Sequence, residues 1–499
     1  MFRRVLFVAL LAASLVSCTA ADDVVVDATP PPPEPIDAVA AVTDASAAMG
    51  ADGVDSITIS GTAWNARNGF MQMPSASPPW PLRDTMTDYV LTIDLTQPAL
   101  RATADTFAED IFFHAATEGN YTLNANADSG WGQQMEIWLS PWGFLQGAAA
   151  TGAEGVSQVM DGNEYSVVTW TAPVASPGGP NYMLTGYINS DGMVARVETH
   201  VENNLAGDLL VENVYSNYQD VDGVMVPMTM EQHRAGGALF GVDATAATVN
   251  PENVAELVTP PPPAAGGRGG RGGGGGGGGD DAPASVAEQL GEGVYLLHTA
   301  YQSLVVEFAD YVVVFESGAA AAVGEQILGE VAVLFPDKEI RYLITSHPHS
   351  DHTGGVVPFV RAGVTILTQE DNVDFLTRIF SNPRTLLGEA TMNPSVEGVG
   401  DMMILEDDTN RLELYHVPNG HTDGMLIAFH PGTGVLLQAD FTLTTLENPF
   451  VIELAERIEE LGLEFDQYVG VHASGSPETQ ADLVAAAEVA AAAIAARDQ

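Results

Sequence analysis

The chain has little cysteine and few basic side chains for its 499 residues. Cys18 is the only cysteine, so an intramolecular disulfide is excluded. Lysine and arginine together number 17 against 66 acidic residues, which gives a formal net charge of -49 at pH 7. A field of this sign repels a phosphate backbone, and we therefore expect no nucleic-acid partner. Solvation of an exported surface is the better explanation for the charge.

The N-terminus also lacks an apolar run long enough to span a membrane. Residues 5–15 are apolar, but this run is too short to cross a bilayer. Two arginines precede it and small residues follow it, which is typical of a secretory signal peptide over residues 1–17. The signal ends in Leu15-Val16-Ser17-Cys18, which resembles a bacterial lipobox.

The lipobox resemblance implies that Cys18 becomes the mature N-terminus and carries a lipid anchor. Several acyl chains on one residue would attach the protein stably to a membrane. We therefore expect an exported lipoprotein of a Gram-negative bacterium, on the outer membrane or facing the periplasm. The alternative is an ordinary cleaved signal and a free periplasmic protein.

The rest of the chain divides into four segments by composition. The apolar content of 46% permits full cores, and the length indicates two or more domains. Residues 18–53 are rich in proline and alanine and predict a tether. Residues 54–258 contain short alternating runs with turn signals such as Asn189-Ser190-Asp191-Gly192, which predicts an antiparallel β domain. Residues 259–283 form a Pro/Gly-rich linker before a last domain, residues 284–499.

Two further expectations concern these segments. Residues 215–227 resemble the end of the curved sheet in outer-membrane lipoprotein carriers. The linker has almost no apolar residues, so we expect the domains on either side of it to move independently.

The last domain is organised around one loop, Ser346-His347-Pro348-His349-Ser350-Asp351-His352-Thr353. An apolar run at residues 340–344, bounded like a buried strand, precedes it, and Gly354-Gly355 follows. A strand therefore ends in three imidazoles and a carboxylate, which are ligands of zinc and other borderline divalent metals. A histidine-rich polar loop is the alternative, but it does not explain four potential ligands within six residues.

Three more potential ligands each lie at the end of an apolar run. They are His421, Asp440 and His472. One such ending is unremarkable, because strand ends carry polar residues. Three of them after the histidine-rich loop indicate a single metal centre.

The HxHxDH loop and these three residues make residues 284–499 similar to the metallo-β-lactamase superfamily. The resemblance implies an α/β fold, an αββα sandwich with a dinuclear site at one edge of its two sheets, preceded here by the mainly antiparallel β domain. It implies two Zn²⁺ ions per chain. The first ion would be bound by His347, His349 and His421, the second by Asp351, His352 and His472, and Asp440 would bridge both.

A dinuclear zinc centre implies hydrolysis. Two metals about 3.5–4 Å apart can share a hydroxide, because metal binding lowers the pKa of water from about 15.7 to about 7. We expect this hydroxide to attack an ester, lactone, thioester or phosphodiester-type bond of a small-molecule substrate. Asp351 has a second, catalytic role in this scheme, which is to orient the nucleophile.

Other functions are also compatible with these residues, and two local features of the last domain bear on the site. Asp440 resembles the bridging residue of glyoxalase II, lactonases and phosphodiesterases, whereas β-lactamases usually carry cysteine or serine there. A β-lactamase, a mononuclear-iron sulfur dioxygenase, or an envelope binding protein with a vestigial metal domain are the alternatives. Glu316-Ser317-Gly318 departs from the Asp-x-Gly turn of many relatives. An insert at residues 372–408 is expected to overhang the site, and its Phe375, Phe380, Met402 and Met403 either contact an apolar substrate or pack. The sequence does not fix the oligomeric state.

Overall fold

The fold is taken from a computed structural model of the chain. It describes residues 33–66, 69–71, 75–77, 83–108, 117–261, 286–299, 301–443, 448–472 and 478–497. The predicted signal peptide with Cys18, and most of the predicted linker, lie outside these residues.

One antiparallel sheet of twelve strands forms the N-terminal part of the described chain. Its spatial order is β1-β6-β7-β8-β9-β10-β11-β12-β2-β3-β4-β5, so most neighbours are joined by hairpins. Asp222 and Gly223 connect β10 to β11, and both have positive φ, as a type I′ turn requires. The antiparallel β domain is therefore confirmed. The strands are β1 (Glu34–Pro35), β2 (Ser56–Ala66), β3 (Arg83–Asp94), β4 (Ala99–Ala108), β5 (Thr117–Asn126), β6 (Glu154–Met160), β7 (Asn163–Ala175), β8 (Asn181–Asn189), β9 (Val194–Asn203), β10 (Gly207–Val221), β11 (Val224–Arg234) and β12 (Gly237–Val249).

Three helices, α1 (Ala38–Met49), α2 (Trp131–Leu139) and α3 (Pro141–Thr151), share a buried core with this sheet. The position of α1 corrects the predicted tether of residues 18–53. Strand β1 pairs with β6, and α1 buries Val42 and Met49 in the core, so residues 34–53 belong to the β domain. An apolar stripe at helical spacing explains the packing, but its alanine-rich composition looks like that of a linker.

The C-terminal part is a layered α/β sandwich. A seven-stranded sheet and a five-stranded sheet bury one apolar core between them. Side chains alternate across the strands: Val313 and Phe315 of β16 enter this core, whereas Val312 and Val314 face the helices. The predicted αββα fold is therefore confirmed. The strands are β13 (Val286–Gly291), β14 (Val294–His298), β15 (Gln302–Glu307), β16 (Tyr311–Phe315), β17 (Glu339–Ile344), β18 (Thr365–Gln369) and β19 (Val396–Val399) in the first sheet, and β20 (Met402–Glu406), β21 (Arg411–His416), β22 (Leu426–His430), β23 (Val435–Gln438) and β24 (Gln467–Gly470) in the second.

The remaining helices follow the chain order. The first of them ends the β domain, and the others belong to the sandwich. They are α4 (Val254–Leu257), α5 (Ala321–Leu334), α6 (Ser350–Thr353), α7 (Val356–Arg361), α8 (Val373–Ser381), α9 (Phe450–Leu461) and α10 (Gln480–Arg497).

The two parts contact each other through residues 382–388, which we call the docking loop. Asp208, at the start of β10, accepts hydrogen bonds from the backbone nitrogens of Thr385 and Leu386, both at 3.0 Å, and from the Thr385 hydroxyl. The Asp208 nitrogen donates to the Pro383 oxygen, and the Gly178 nitrogen donates to the Leu386 oxygen, both at 2.7 Å. Each hydrogen bond to the carboxylate contributes about 1.5–3 kcal/mol.

A buried arginine strengthens this contact. Arg384 is 2% exposed and donates to the Asn204 oxygen at 2.7 Å, while its Nε pairs with Glu389 at 2.6 Å. Leu386 belongs to one continuous apolar cluster that also contains Leu209 of the β domain. The expectation that the two parts move independently is therefore wrong. The composition of a linker does not reveal which surfaces the folded parts present to each other.

The docking loop predicts that the two parts stay together when the linker is cut. Trypsin can cleave after Arg268 or Arg271 of the linker sequence. We expect the two fragments to co-elute in size-exclusion chromatography at the mass of the uncut chain. Asp208→Ala should let them separate, whereas Asp243→Ala, at an exposed position on β12, should not. Separation of the wild-type fragments would contradict the contact.

Candidate metal centre

The histidine-rich loop begins directly after β17 and is fixed by backbone hydrogen bonds. The Ser346 nitrogen donates to Glu316 Oε1 at 2.8 Å, and the Ser346 oxygen accepts from the Leu426 nitrogen at 2.7 Å. Helix α6 starts after His349. Gly354 and Gly355 follow this helix. A Cβ on Gly355 would lie 1.9 Å from the Ser317 oxygen, so this position has no room for a side chain. Both sheets therefore contribute to the position of this loop.

All seven predicted side chains come together in two groups that share one residue. Within each group the potential ligand atoms lie within 4.8 Å of one another. The first group contains His347, His349, His421 and Asp440, and the second contains Asp351, His352, Asp440 and His472.

Asp440 lies at the middle of the cluster. Its Oδ2 is 3.0 Å from His347 Nε2, 3.1 Å from His421 Nε2 and 3.2 Å from His352 Nε2. Its Oδ1 is 2.7 Å from His472 Nε2. A tetrahedral zinc ion with bonds of about 2.0–2.2 Å separates its ligand atoms by roughly 3.3–3.5 Å. The three Oδ2 separations of 3.0–3.2 Å approach this value, whereas the 2.7 Å between Oδ1 and His472 Nε2 is shorter.

The hydrogen bonding of the cluster also fits a pair of cations. Among the described residues, His347 Nε2 and Asp440 Oδ2 are buried and neither atom makes a hydrogen bond of acceptable geometry, although the two lie 3.0 Å apart. The Nε2 atoms of His352 and His472 are only 3.0 Å apart. Buried polar atoms without partners are unfavourable, and ring nitrogens that face each other suit a shared cation. The residues present therefore fit divalent metals.

The pKa shifts keep two of these groups in the forms that bind metal. Burial lowers the pKa of His347 well below its usual value, and the neighbouring His352 and His349 lower it further, so the imidazole is neutral. Burial raises the pKa of Asp440, but the positive charge of His352 and the contact with His347 outweigh this effect and keep its pKa well below the usual value. Asp440 is therefore a carboxylate.

His352 behaves in the opposite way. Burial would lower the pKa of His352, but Asp440 and Glu316 outweigh burial and raise its pKa well above the usual value. Without a metal, this ring holds a proton between two carboxylates. A metal at His352 Nε2 must displace that proton.

Glu316 orients His352. The residue directly follows β16, has a φ of 79° and is fully buried. Its Oε2 lies 2.9 Å from His352 Nδ1, and its Oε1 accepts from the Ser346 nitrogen. A proton on Nδ1 is thereby directed to Glu316, and Nε2 points toward Asp440. The departure from the Asp-x-Gly pattern therefore leaves a carboxylate in contact with the ligand loop.

Tyr301 borders the second group, a position that no motif around it predicts. Its ring centroid lies 4.6 Å from that of His472 and 5.9 Å from that of His352. The position of Tyr301 is set by its neighbour Gln302, whose nitrogen donates to the oxygen of Val471, directly before His472. Burial, with Asp351 and Asp440, raises the pKa of Tyr301 to about 12, so its phenol stays protonated at neutral pH.

For the phenylalanines of the insert at residues 372–408, the structure shows packing, which is one of the two roles expected for its apolar residues. Phe375 and Phe380 are buried in the core with the helices, so they pack instead of lining the site. Met402 lies on the edge strand β20 and is 50% exposed. The docking loop, residues 382–388, is part of this segment and contacts the β domain.

Comparisons with known proteins give one family. The family model described as "Metallo-beta-lactamase superfamily" matches residues 299–453. No curated protein matches the chain.

Similar solved structures include TMB-1 and two proteins described as metallo-beta-lactamases. TMB-1 is 19% identical, with 42% of this chain and 99% of that chain covered and a TM-score of 0.34. The metallo-beta-lactamase from Pontibacter korlensis is 15% identical, with 42% and 99% covered and a TM-score of 0.35. The DIM-1 metallo-beta-lactamase is 15% identical, with 43% and 100% covered and a TM-score of 0.35.

Glu316→Gln tests the orientation of His352. Loss of a hydrogen-bond partner behind a metal-binding histidine typically lowers metal affinity by about 10–100-fold. We expect a loss of this size for one of two zinc ions, measured by competition with a chromogenic chelator. Glu307→Gln, which removes a carboxylate paired with Lys338, is the matched control. Unchanged zinc affinity in a folded Glu316→Gln variant would show that this carboxylate does not position the ligand.

Proposed function

We propose that this chain, whose C-terminal part is a metallo-β-lactamase superfamily domain, is a hydrolase with a dinuclear zinc centre. The observation that carries the proposal is the convergence of seven side chains in two groups around the buried carboxylate of Asp440. A complete ligand set argues against a binding protein with a vestigial metal domain.

The exposure of the ligands indicates where substrate enters. The side chains of His347 and His352 are fully buried, whereas those of His472 and Asp351 are 25% and 32% exposed. Tyr301 lies on the same rim. We infer that a substrate reaches the centre over the second group.

The protein's own groups have separate tasks in the proposed reaction. When bound, two divalent cations lower the pKa of water and polarise the oxygen atom of the substrate that gains charge. Asp351, as the more exposed carboxylate, orients the attacking water by accepting its hydrogen bond. Tyr301 can donate a hydrogen bond to a substrate oxygen, because its phenol is protonated at neutral pH. Glu316 keeps His352 in the correct orientation.

The proposed substrate class rests on the identity of the residue at the shared position, Asp440. A carboxylate at the shared position resembles glyoxalase II, lactonases and phosphodiesterases, so we propose an ester, lactone, thioester or phosphodiester-type bond of a small molecule. The family model that matches residues 299–453 is described as that of the metallo-beta-lactamase superfamily, which makes a β-lactam the informative comparison substrate.

Metal analysis tests the centre directly. We expect two zinc ions per purified chain by elemental analysis. Asp440→Ala should lower the occupancy of both sites, because it removes the shared carboxylate. Asp401→Ala, on an exposed turn before β20, should keep both ions. One iron per chain, or full occupancy in Asp440→Ala, would contradict the dinuclear assignment.

A substrate screen on the zinc-loaded protein then tests the reaction. The probes are p-nitrophenyl esters, a lactone, a thioester, bis-p-nitrophenyl phosphate and a chromogenic β-lactam. Hydrolysis of an ester-type or phosphodiester-type probe, lost in Asp440→Ala, is the expected result. Turnover of the β-lactam alone would favour the β-lactamase alternative.

We also propose that lipid on Cys18 tethers the protein to a membrane of the cell envelope. Within the described part of the chain, no helix has the length and apolar character needed to cross a membrane. Cys18→Ser should move the protein from the membrane fraction to the soluble envelope fraction. Ser17→Ala keeps a small residue before the cysteine and should leave the protein in the membrane. A Cys18→Ser variant that remains in the membrane would exclude this anchor.

A further inference from the structure

A buried amide connects the loop of His421 to the start of α8. Asn372 is fully buried, and its Nδ2 donates to the Gly424 oxygen at 2.9 Å and to Thr368 Oγ1 at 3.2 Å. A Cβ on Gly424 would lie 2.5 Å from Asn372 Oδ1, so the loop lies directly against this amide. The position of Gly424 is therefore set by the first residue before α8.

The segment between Gly424 and His421 is internally braced. Asn419 Oδ1 accepts from the His421 nitrogen at 2.8 Å and from the Thr422 nitrogen at 3.2 Å. Asn419 Nδ2 donates to the Val417 oxygen at 2.8 Å. Because this turn is closed by its own hydrogen bonds, a displacement of Gly424 is transmitted to His421.

The other end of α8 is attached to the β domain. Arg378, on α8, donates to the Ala235 oxygen at 2.8 Å in the turn between β11 and β12. Asn382, directly after the helix, donates to the Ala206 oxygen at 2.9 Å. Asn382 begins the docking loop, which makes three further hydrogen bonds to Asp208. The nine residues of α8 span about 13–14 Å between these two attachments.

We propose that the β domain positions the metal centre: Asp208 and its neighbours hold α8, and α8 sets His421 through Asn372. This inference rests on the metal centre proposed above. Metal ligands need placement to within about 0.5 Å, so a fixed helix end is a suitable support. Asp208 and Asn372 are positioning residues and do not touch substrate.

The proposal makes the two metals respond differently. His421 belongs to the first group only. In the second group, His352 is fixed by Glu316, and the strand before His472 is fixed by Gln302. Neither of these contacts involves α8 or the docking loop. Release of α8 should therefore weaken the first ion and leave the second unchanged.

The test titrates the full-length, metal-free protein with Zn²⁺ against a chelator and with Co²⁺ by visible spectroscopy. In Asp208→Ala and in Asn372→Ala we expect the affinity for one ion to fall about tenfold or more, as for other outer contacts of metal ligands. The d–d bands of that cobalt ion should shift. Asp243→Ala is the matched control. If Asp208→Ala does not fold, Arg378→Met provides the same test with a single contact removed.

The double variant Asp208→Ala/Asn372→Ala separates positioning from general destabilisation. Asp208 and Asn372 act on His421 through the same helix. The double variant should therefore lose no more zinc affinity than the weaker-binding single variant, because either change already releases His421. Equal losses at both ions, additive losses in the double variant, or no loss at either ion would overturn the proposal. Wild-type protein that binds no metal would overturn the proposed function as well, whereas two tightly bound ions with unaffected variants would overturn this inference alone.

Discussion

The whole centre depends on one buried carboxylate that faces four imidazoles. Asp440 lies at the end of β23 with a φ of 37°, a backbone conformation that is unfavourable for a residue with a side chain. Its two oxygens are within 3.2 Å of four ring nitrogens. A buried charge of this kind is costly unless cations compensate for it. A pair of divalent metals satisfies the carboxylate and the imidazoles together.

The sandwich provides the rigidity that such a cluster requires. Ligands reach the cluster from the ends of β17, β23 and β24. Beside the cluster, backbone hydrogen bonds from Leu426 to Ser346 and from Gln302 to Val471 cross between the sheets. Glu316 adds a fully buried carboxylate behind His352. The β domain continues this support outward, because the docking loop makes the two parts of the chain one packed unit. The first and second metal groups thus rest on different supports.

The metal-binding residues could be predicted from the sequence because they belong to local patterns. Each ligand follows an apolar run, so His347, Asp440 and His472 could be found from strand ends and from the family resemblance. The support of these residues was not visible in the same way. Glu316 acts across thirty-six positions on His352, and Asp208 acts across 177 positions on Thr385. Contacts between residues so far apart in the chain leave no periodic signal in the sequence. The helix within residues 34–53 was missed because alanine-rich segments suit both helices and tethers.

The most direct test is a crystal structure of the zinc-loaded protein with anomalous diffraction recorded at the zinc edge. We predict two peaks about 3.5–4 Å apart, one beside His347, His349 and His421 and the other beside Asp351, His352 and His472, with Asp440 contacting both. A single peak, or two peaks of which only one contacts Asp440, would contradict the shared carboxylate on which the centre is built.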